Sequence, residues 1–141
     1  MEITSEQQIK INNIGEKYNL RYIIVHGSFA CGEAKKGSDL DIAIYGKKFI
    51  DFNTQLKIYS DFADVFGDNR ERELDIKTLH DVDPLFLAEV VRKGQLIYGD
   101  LNDYDHFVLY AYKVFHDSQD LLRLRDELIK RRMQDLKEIY A

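Results

Sequence analysis

Apolar residues recur along this chain with two different periods, and each period predicts a kind of element. Helical spacing runs through residues 5–17, 49–66 and 84–93, where Pro84 and Gly94 suit the beginning and end of the third helix. The aromatic stripe of residues 49–66 predicts a helix face buried in the core. Short apolar runs predict four strands, in "RYIIVHGS", "DLDIAIYG", "ELDIKTL" and "QLIYGD", the last of them at a sheet edge.

The end of the chain is dominated by helical periodicity. From about Tyr104 onward, apolar residues form a stripe that predicts either one long helix or two helices. The segment "HDSQD" at 116–120 is the expected place for a bend, because Asp and Ser compete for backbone hydrogen bonds. No glycine- or proline-rich linker precedes this tail. We therefore expect a core over residues 1–100 and a helical extension over 101–141 packed on the same domain.

Composition narrows the class of protein. With 141 residues, the chain is long enough for one domain with a substantial core. No apolar run approaches the ~20 residues of a membrane span, and the N-terminus lacks the pattern of a signal peptide. The single cysteine rules out an internal disulfide and fits a reducing cytoplasm. A net charge of −5 argues against non-specific nucleic-acid binding. We expect a cytoplasmic protein with no membrane association.

Three carboxylates suggest chemistry. Strand alternation places Asp39 and Asp41 on one face, and Asp75 lies on a second alternating strand that brings it close if the two strands are neighbours. Like charges this close are unfavourable unless a cation lies between them, and magnesium prefers such oxygen ligands. Two magnesium ions would stabilise an in-line displacement at phosphorus. The alternative is that these aspartates form the solvated face of an amphipathic strand.

The segment "GSFACG" follows the first strand and could hold a phosphate. Gly27 permits close backbone approach, and the hydroxyl of Ser28 can donate a hydrogen bond. A helix beginning near Phe29 would direct free N–H groups at an anion. An ordinary turn at the end of a strand is the alternative. The turn together with the three aspartates indicates a phosphate and metal site more specifically than either feature does alone.

The stretch "GSFACGEAKKGSDLDIAI" resembles the GS…SDxD signature of the DNA polymerase β-like nucleotidyltransferase superfamily, with Asp75 as the third carboxylate. The later "DPLFLAEVVRKGQLIYGD" is similar to a segment of the minimal nucleotidyltransferases, the MNT proteins encoded beside HEPN partners. The resemblance covers nearly the whole chain. It implies an α+β (mixed α/β) nucleotidyltransferase fold, in which a small mixed sheet is flanked by helices and followed by a C-terminal helical extension.

The resemblance also implies an activity. Members of the superfamily bind a nucleoside triphosphate and two Mg²⁺ ions. Members of the HEPN-paired subgroup are antitoxins that transfer AMP from ATP to a tyrosine hydroxyl of the HEPN ribonuclease toxin and neutralise it. The partner implied for this chain is thus a HEPN toxin in a hetero-oligomer. No direct binding of nucleic acid is expected.

Site residues follow from the matched motif. Gly27 and Ser28 would hold the triphosphate, and Ser38 would fix the turn that enters the second strand on the nucleotide-binding side. Asp39 and Asp41 would hold both metals. Asp75 would hold the catalytic metal and act as general base toward the incoming hydroxyl. All three aspartates would be both catalytic residues and metal ligands.

The chain departs from the subgroup at Cys31, where an arginine is common, and Lys35 or Lys36 could supply the missing cation. Two other functions therefore stay open. One is a catalytically weak antitoxin that neutralises its toxin by steric binding. The other is a nucleotidyltransferase that acts on a small molecule. His26 is interpreted as a structural residue at the end of a strand.

Overall fold

The computed structural model of the protein describes all 141 residues. Helices and strands follow one another along the chain. In order they are α1 (Ser5–Lys17), β1 (Leu20–His26), a 3₁₀ turn (Gly27–Phe29), β2 (Leu40–Gly46), α2 (Phe52–Phe66), β3 (Leu74–Thr78), α3 (Pro84–Lys93), β4 (Gln95–Tyr98) and α4 (Leu101–Tyr140). Pro84 opens α3 and Gly94 is its C-cap, as the sequence predicted.

The four strands form one mixed sheet in the order β3-β2-β1-β4. β1 pairs antiparallel with β2 and with β4, whereas β2 and β3 run parallel. The short β4 lies at one edge of the sheet, as predicted, and β3 forms the other edge. The predicted α+β fold with a small mixed sheet is confirmed.

Helices cover both faces of the sheet and make two apolar cores. On one face, Leu40, Ile42 and Ile44 of β2 pack with buried residues of α1 and α2, among them Ile11 and Phe62. On the other face, residues of β1 and β2 pack with α3 and the beginning of α4, and this second cluster contains Tyr22, Ile24, Ala43, Val90 and Phe107. Alternate residues of β2 therefore have fixed and opposite directions.

One prediction about the core is wrong. The stripe of residues 49–66 is buried only in part: Ile58, Phe62 and Phe66 of α2 are buried, but Phe49, Phe52 and Leu56 are exposed. Phe49 precedes the helix, whose N-cap is Asp51. Phe52 and Leu56 lie roughly a quarter to a third of a turn around α2 from the buried stripe.

The C-terminal helix α4 continues without interruption through residues 116–120, so the two-helix alternative is wrong. Ser118 Oγ donates to Phe115 O at 2.8 Å and is thus satisfied inside the helix. Only the beginning of α4 is anchored in the core, through Tyr104, Phe107 and Ala111. Leucines farther along are exposed. The division of the chain at residue 100 stays a prediction. No helix has the length and apolar character of a membrane span.

Candidate active site

Sheet register brings the predicted carboxylates together. Asp41 of β2 pairs with Asp75 on the parallel strand β3 and with His26 on the antiparallel strand β1. His26, Asp41 and Asp75 therefore form a row across three strands, and paired residues point to the same face. Asp39 lies just before β2 and is exposed. The condition that β2 and β3 be neighbours is met.

The electrostatic state of Asp41 reflects this crowding. Burial raises the pKa of the Asp41 carboxyl, and the charges of Asp75 and Asp39 raise it further, while Lys77 opposes them. Lys77 follows Asp75 on the same face of β3, and its Nζ lies 3.6 Å from Asp75 Oδ2. The cluster thus combines three like charges with one ammonium group from the chain.

Gly27 is adapted to this cluster. Its φ of +71° is in the left-handed region, and a Cβ atom built there would collide with Asp41 Oδ2. Any other residue would therefore be strained and would push the carboxylate aside. Gly27 thus lies directly against the Asp41 carboxylate, and the approach of a phosphate to Gly27 stays a prediction.

The expected helix beginning near Phe29 is absent. A single 3₁₀ turn spans Gly27–Phe29, followed by a loop in which Gly32 also has a φ of +71°. An α-helix cannot accommodate that backbone, so the chain turns away. Ser28 is part of the turn and half-buried. A phosphate at this place would be held by the turn and the Ser28 hydroxyl, without a helix N-terminus.

Ser38 closes the loop that leads into β2. Its Oγ accepts a hydrogen bond from Lys35 N at 2.8 Å, and its own N donates to Lys35 O at 3.0 Å. These bonds fix the backbone immediately before Asp39, which is the turn-fixing role expected from the resemblance. Contact of Ser38 with a nucleotide stays a prediction. Cys31 is exposed, and so are Lys35 and Lys36.

The donor set fits magnesium bound together with a substrate. The acidic side chains do not converge as a ready-made cage for one ion, and Asp75 is paired with Lys77 instead. Magnesium does not need such a cage, because it commonly takes one or two carboxylates, substrate phosphates and waters. The repulsion that raises the pKa of Asp41 is the kind of imbalance that a cation relieves.

Three residues beside the carboxylates were given no role in the chemistry from the sequence. His26 has its Nε2 buried without a partner, and burial lowers the pKa of its imidazole. The Phe86 ring of α3 meets the His26 ring edge-on, with 5.8 Å between the centroids. Lys77 Nζ lies 5.4 Å from the centroid of the same ring. The spacing of Lys77 two residues after Asp75 was the available signal, but the position of Phe86 depends on how α3 packs.

Comparison with known proteins identifies the family of the chain. Residues 9–101, which include every carboxylate of the cluster and the Gly27–Ser28 turn, match the family described as Polymerase beta, Nucleotidyltransferase. The chain belongs to this family. The resemblance stated from the motif is thereby confirmed. The nucleotidyltransferase family match spans both the carboxylate cluster and the turn.

Individual relatives are similar over most of their length. A Methanocaldococcus jannaschii protein named as a candidate protein adenylyltransferase is 28% identical over 124 residues, which are 82% of this chain and 91% of that protein. A chain of a toxin–antitoxin crystal structure with AMP-PNP superposes with a TM-score of 0.69 at 19% identity, covering 86% of this chain and 98% of the other.

A further solved structure contains a tri-AMPylated Shewanella oneidensis HEPN toxin in complex with an MNT antitoxin. A chain of it superposes with a TM-score of 0.64 at 17% identity, covering 88% of this chain and 97% of the other. At these identities the superpositions establish a common fold. The chain thus shares its fold with these chains over nearly their whole length.

Proposed function

We propose that this nucleotidyltransferase is an antitoxin that transfers AMP from ATP to a tyrosine hydroxyl of a partner HEPN ribonuclease toxin and so neutralises it. The observation that carries the proposal is the row of carboxylates: Asp41 in register with Asp75, with Asp39 close enough to raise the pKa of Asp41. The M. jannaschii relative named for protein adenylylation and the fold shared with toxin–antitoxin complexes support it.

In this proposal the chain positions two magnesium ions and the nucleotide. Asp39 and Asp41 would hold both ions, and Asp75 would hold one of them. Bound there, the ions would supply positive charge to the phosphates and to the reacting oxygen atoms of an in-line displacement. Gly27 and Ser28 hold the triphosphate beside Asp41, and the absence of a Cβ at Gly27 lets the Asp41 carboxylate lie against the turn. Ser38 keeps the loop before Asp39 in place.

The proposed transfer forms one bond to phosphorus, breaks another, and moves one proton to a carboxylate of the chain. The hydroxyl oxygen of the acceptor attacks the α-phosphorus of ATP, the bond from that phosphorus to the bridging oxygen of pyrophosphate breaks, and pyrophosphate leaves. The hydroxyl proton passes to the carboxylate of Asp75. Most of the rate enhancement then comes from positioning and charge neutralisation, since the chain forms no covalent bond with the substrate.

The exposed part of α4 supports a protein partner. Leu121, Leu124, Leu128 and Ile129 line one shallow apolar surface together with Arg125 and Arg132. Contiguous exposed apolar surface of this kind is typical of protein interfaces. It provides a place for a toxin to bind that is separate from the carboxylates.

Mass spectrometry tests the proposal. The purified chain is incubated with ATP, Mg²⁺ and the HEPN protein encoded beside it, and the neighbour is then digested and its mass measured. An AMP adduct on a tyrosine, with loss of ribonuclease activity, is the expected result. A stable complex without an adduct would instead favour steric neutralisation. If neither forms, transfer to a small molecule becomes the better hypothesis.

Asp75→Asn separates binding from turnover. This variant should still bind ATP, because Asp39 and Asp41 remain, but it should transfer no AMP. An unchanged rate would remove Asp75 from the role of general base.

A further inference from the structure

An open groove lies at the edge of the sheet next to Asp75. Because β3 is an edge strand, its outer side has no neighbouring strand. The space beside it has a volume of about 380 Å³ and is lined by Gln55, Lys77, Thr78, Val82, Asp83 and Phe86. We call this space the edge groove. It is contributed by α2, the end of β3 and the beginning of α3.

Hydrogen bonds and packing hold the walls of the edge groove. Gln55 Nε2 donates to Ile76 O at 3.0 Å, which ties α2 to β3. Asp83 caps α3, accepting from Leu85 N at 2.7 Å, and so fixes the turn that carries Phe86. The Phe86 ring and the Lys77 ammonium then lie 5.4 Å apart. The groove therefore has a fixed aromatic wall and a cationic side chain.

We propose that the edge groove binds the acceptor of the transfer, and that the acceptor group is the phenol of a tyrosine presented by a polypeptide. This inference rests on the proposed function and deepens it. The position of the groove is the first argument. Gly27 lies at the end of β1, Asp41 on β2 and Asp75 on β3, so the phosphate turn and the groove lie on opposite sides of the carboxylates.

In-line displacement requires this arrangement. The attacking and leaving oxygens lie on opposite sides of the α-phosphorus, so an acceptor must approach from the side away from the pyrophosphate. Adjacent strands are about 4.8 Å apart, which places the β3 edge roughly 10 Å from β1. An acceptor hydroxyl that approaches from the edge groove reaches Asp75 on β3, the proposed base, before Asp41 on β2.

The chemistry of the walls selects an aromatic hydroxyl. A phenol ring can pair with the Phe86 ring in an edge-on or offset-stacked arrangement, which aromatic side chains favour. The Lys77 ammonium, 3.6 Å from Asp75 Oδ2, stabilises negative charge that develops on the phenol oxygen as its proton leaves. A serine hydroxyl could use the Lys77 ammonium but has no ring to pair with Phe86.

The surroundings of the groove suit a polypeptide. Phe52 lies one turn before Gln55 on α2, and 71% of its surface is exposed. Residues three apart lie on the same side of a helix, so the Phe52 ring extends the apolar surface from the groove outward. Exposed phenylalanine next to a groove is typical of a protein-binding surface.

Nuclear magnetic resonance tests the groove directly, with N-acetyl-L-tyrosinamide as the probe. The protein is saturated with Mg²⁺ and α,β-methylene-ATP, which cannot transfer AMP, and the probe is titrated in. We expect amide shifts at Lys77, Thr78 and Phe86 and much smaller shifts with N-acetyl-L-serinamide. Equal shifts with both probes, or no groove shifts at the highest soluble concentration, would overturn the proposal.

Variants sharpen this test. Phe86→Leu should raise the Kd of the tyrosine probe by about 5-fold or more, which corresponds to about 1 kcal/mol. Lys77→Gln should instead lower the rate of AMP transfer by about 5-fold or more, because Lys77 acts on charge that develops during the reaction. The exposed neighbour Leu85→Ala, outside the groove, is the matched control and should leave that Kd unchanged. Lys77→Gln keeps the test valid if Phe86→Leu does not fold, because the Lys77 side chain is exposed.

Nucleotide affinity separates this inference from its alternatives. The Kd of α,β-methylene-ATP should not change in Phe86→Leu, and a clear loss would mean that the groove holds the nucleotide base. AMP transfer to the HEPN partner that is unaffected by both variants would overturn the groove and leave the proposed function standing. Probe binding in the groove without any AMP transfer to the partner would leave the groove standing and remove the proposed function.

Discussion

The two ends of β1 hold carboxylates in opposite electrostatic situations. At its beginning, Asp103 of α4 accepts hydrogen bonds from Arg21 Nε and Nη2, each at 2.8 Å, and from Tyr22 Oη at 2.7 Å. These bonds hold the pKa of Asp103 well below its usual range. At the other end, next to His26, burial and the neighbouring carboxylates raise the pKa of Asp41, and no hydrogen bond counteracts them.

The difference separates a structural carboxylate from one suited to bind a cation. Asp103 receives its positive partner from the chain, and the bidentate pair with Arg21 anchors α4 to the sheet. Asp41 is left with like charges that nothing in the chain fully neutralises. This repulsion destabilises the folded state, and a bound cation would relieve it and so stabilise the fold. The same residue type thus serves stability at one end of β1 and, in the proposed function, metal binding at the other.

Replacing each carboxylate by its amide should have opposite effects, and this is the largest expected contrast. Asp41→Asn should lower AMP transfer by about 10³-fold, the scale of losing a preorganised charge-stabilising group, while raising the Tm of the metal-free protein by relieving repulsion. Asp103→Asn should lower the Tm, because Arg21 and Tyr22 lose an ionised acceptor, and should leave transfer nearly unchanged.

Kinetic assays and thermal unfolding of both variants in the same buffer measure these opposite effects on AMP transfer and Tm. Full transfer activity of Asp41→Asn would remove Asp41 from the site. A Tm for Asp103→Asn at or above that of the wild type would show that the Arg21 pair does not stabilise the fold.

Two glycines with the same backbone conformation give the next contrast. Gly27 and Gly32 both have a φ of +71°, but a Cβ at Gly27 would strike Asp41 and one at Gly32 would meet nothing within 4 Å. Alanine at either position should cost about 1 kcal/mol of stability from backbone strain. Gly27→Ala should in addition lower AMP transfer by roughly 10-fold or more, because Asp41 is displaced. Equal activities of the two variants would contradict this close fit.

Magnesium should stabilise the protein only through the functional carboxylates. With saturating Mg²⁺ and a nucleotide analogue, the Tm of the wild type and of Asp103→Asn should rise, since a ligand that binds only the folded state stabilises it. The Tm of Asp41→Asn should not rise comparably. Scans with Mg²⁺, with Ca²⁺ and with EDTA make the measurement, and an equal Mg²⁺ shift in all three proteins would place the ion elsewhere.

Local patterns explain what the sequence could predict. Strand alternation predicted the direction of Asp41, whereas Asp39 lies just before β2. The turn at Gly27–Ser28 followed from a glycine at the end of an apolar run. The parallel pairing that puts Asp75 beside Asp41 could only be stated as a condition, because register between distant strands is not encoded in either strand alone.

Features that depend on packing were missed or mistaken. Phe86 reaches the site because α3 packs over β1, which no local period specifies. Phe52 has helical spacing with the buried residues of α2 but lies beyond the side that meets the core. The turn after Gly27 is a single 3₁₀ turn because Gly32 takes a left-handed conformation, and composition alone did not distinguish that from a helix.

The pH dependence of stability gives the smallest and finest test of the two carboxylates. The raised pKa of Asp41 means that its ionised form destabilises the folded state. The stability gained by Asp41→Asn is therefore present above the raised pKa, and it is lost as the pH falls toward about 4, where wild-type Asp41 becomes protonated in both states.

Ionised Asp103 stabilises the folded state, the opposite of Asp41, and its contribution changes over a different range of pH. Its lowered pKa means that its stabilisation is complete above about pH 4, the ordinary value of the unfolded chain, and is lost only as the pH falls below it. In metal-free thermal scans, the Tm deficit of Asp103→Asn should thus persist at a pH where the Tm gain of Asp41→Asn has already vanished. If the Tm gain of Asp41→Asn and the Tm deficit of Asp103→Asn disappeared at the same pH, the two carboxylates would not titrate separately, and one shared transition would govern both.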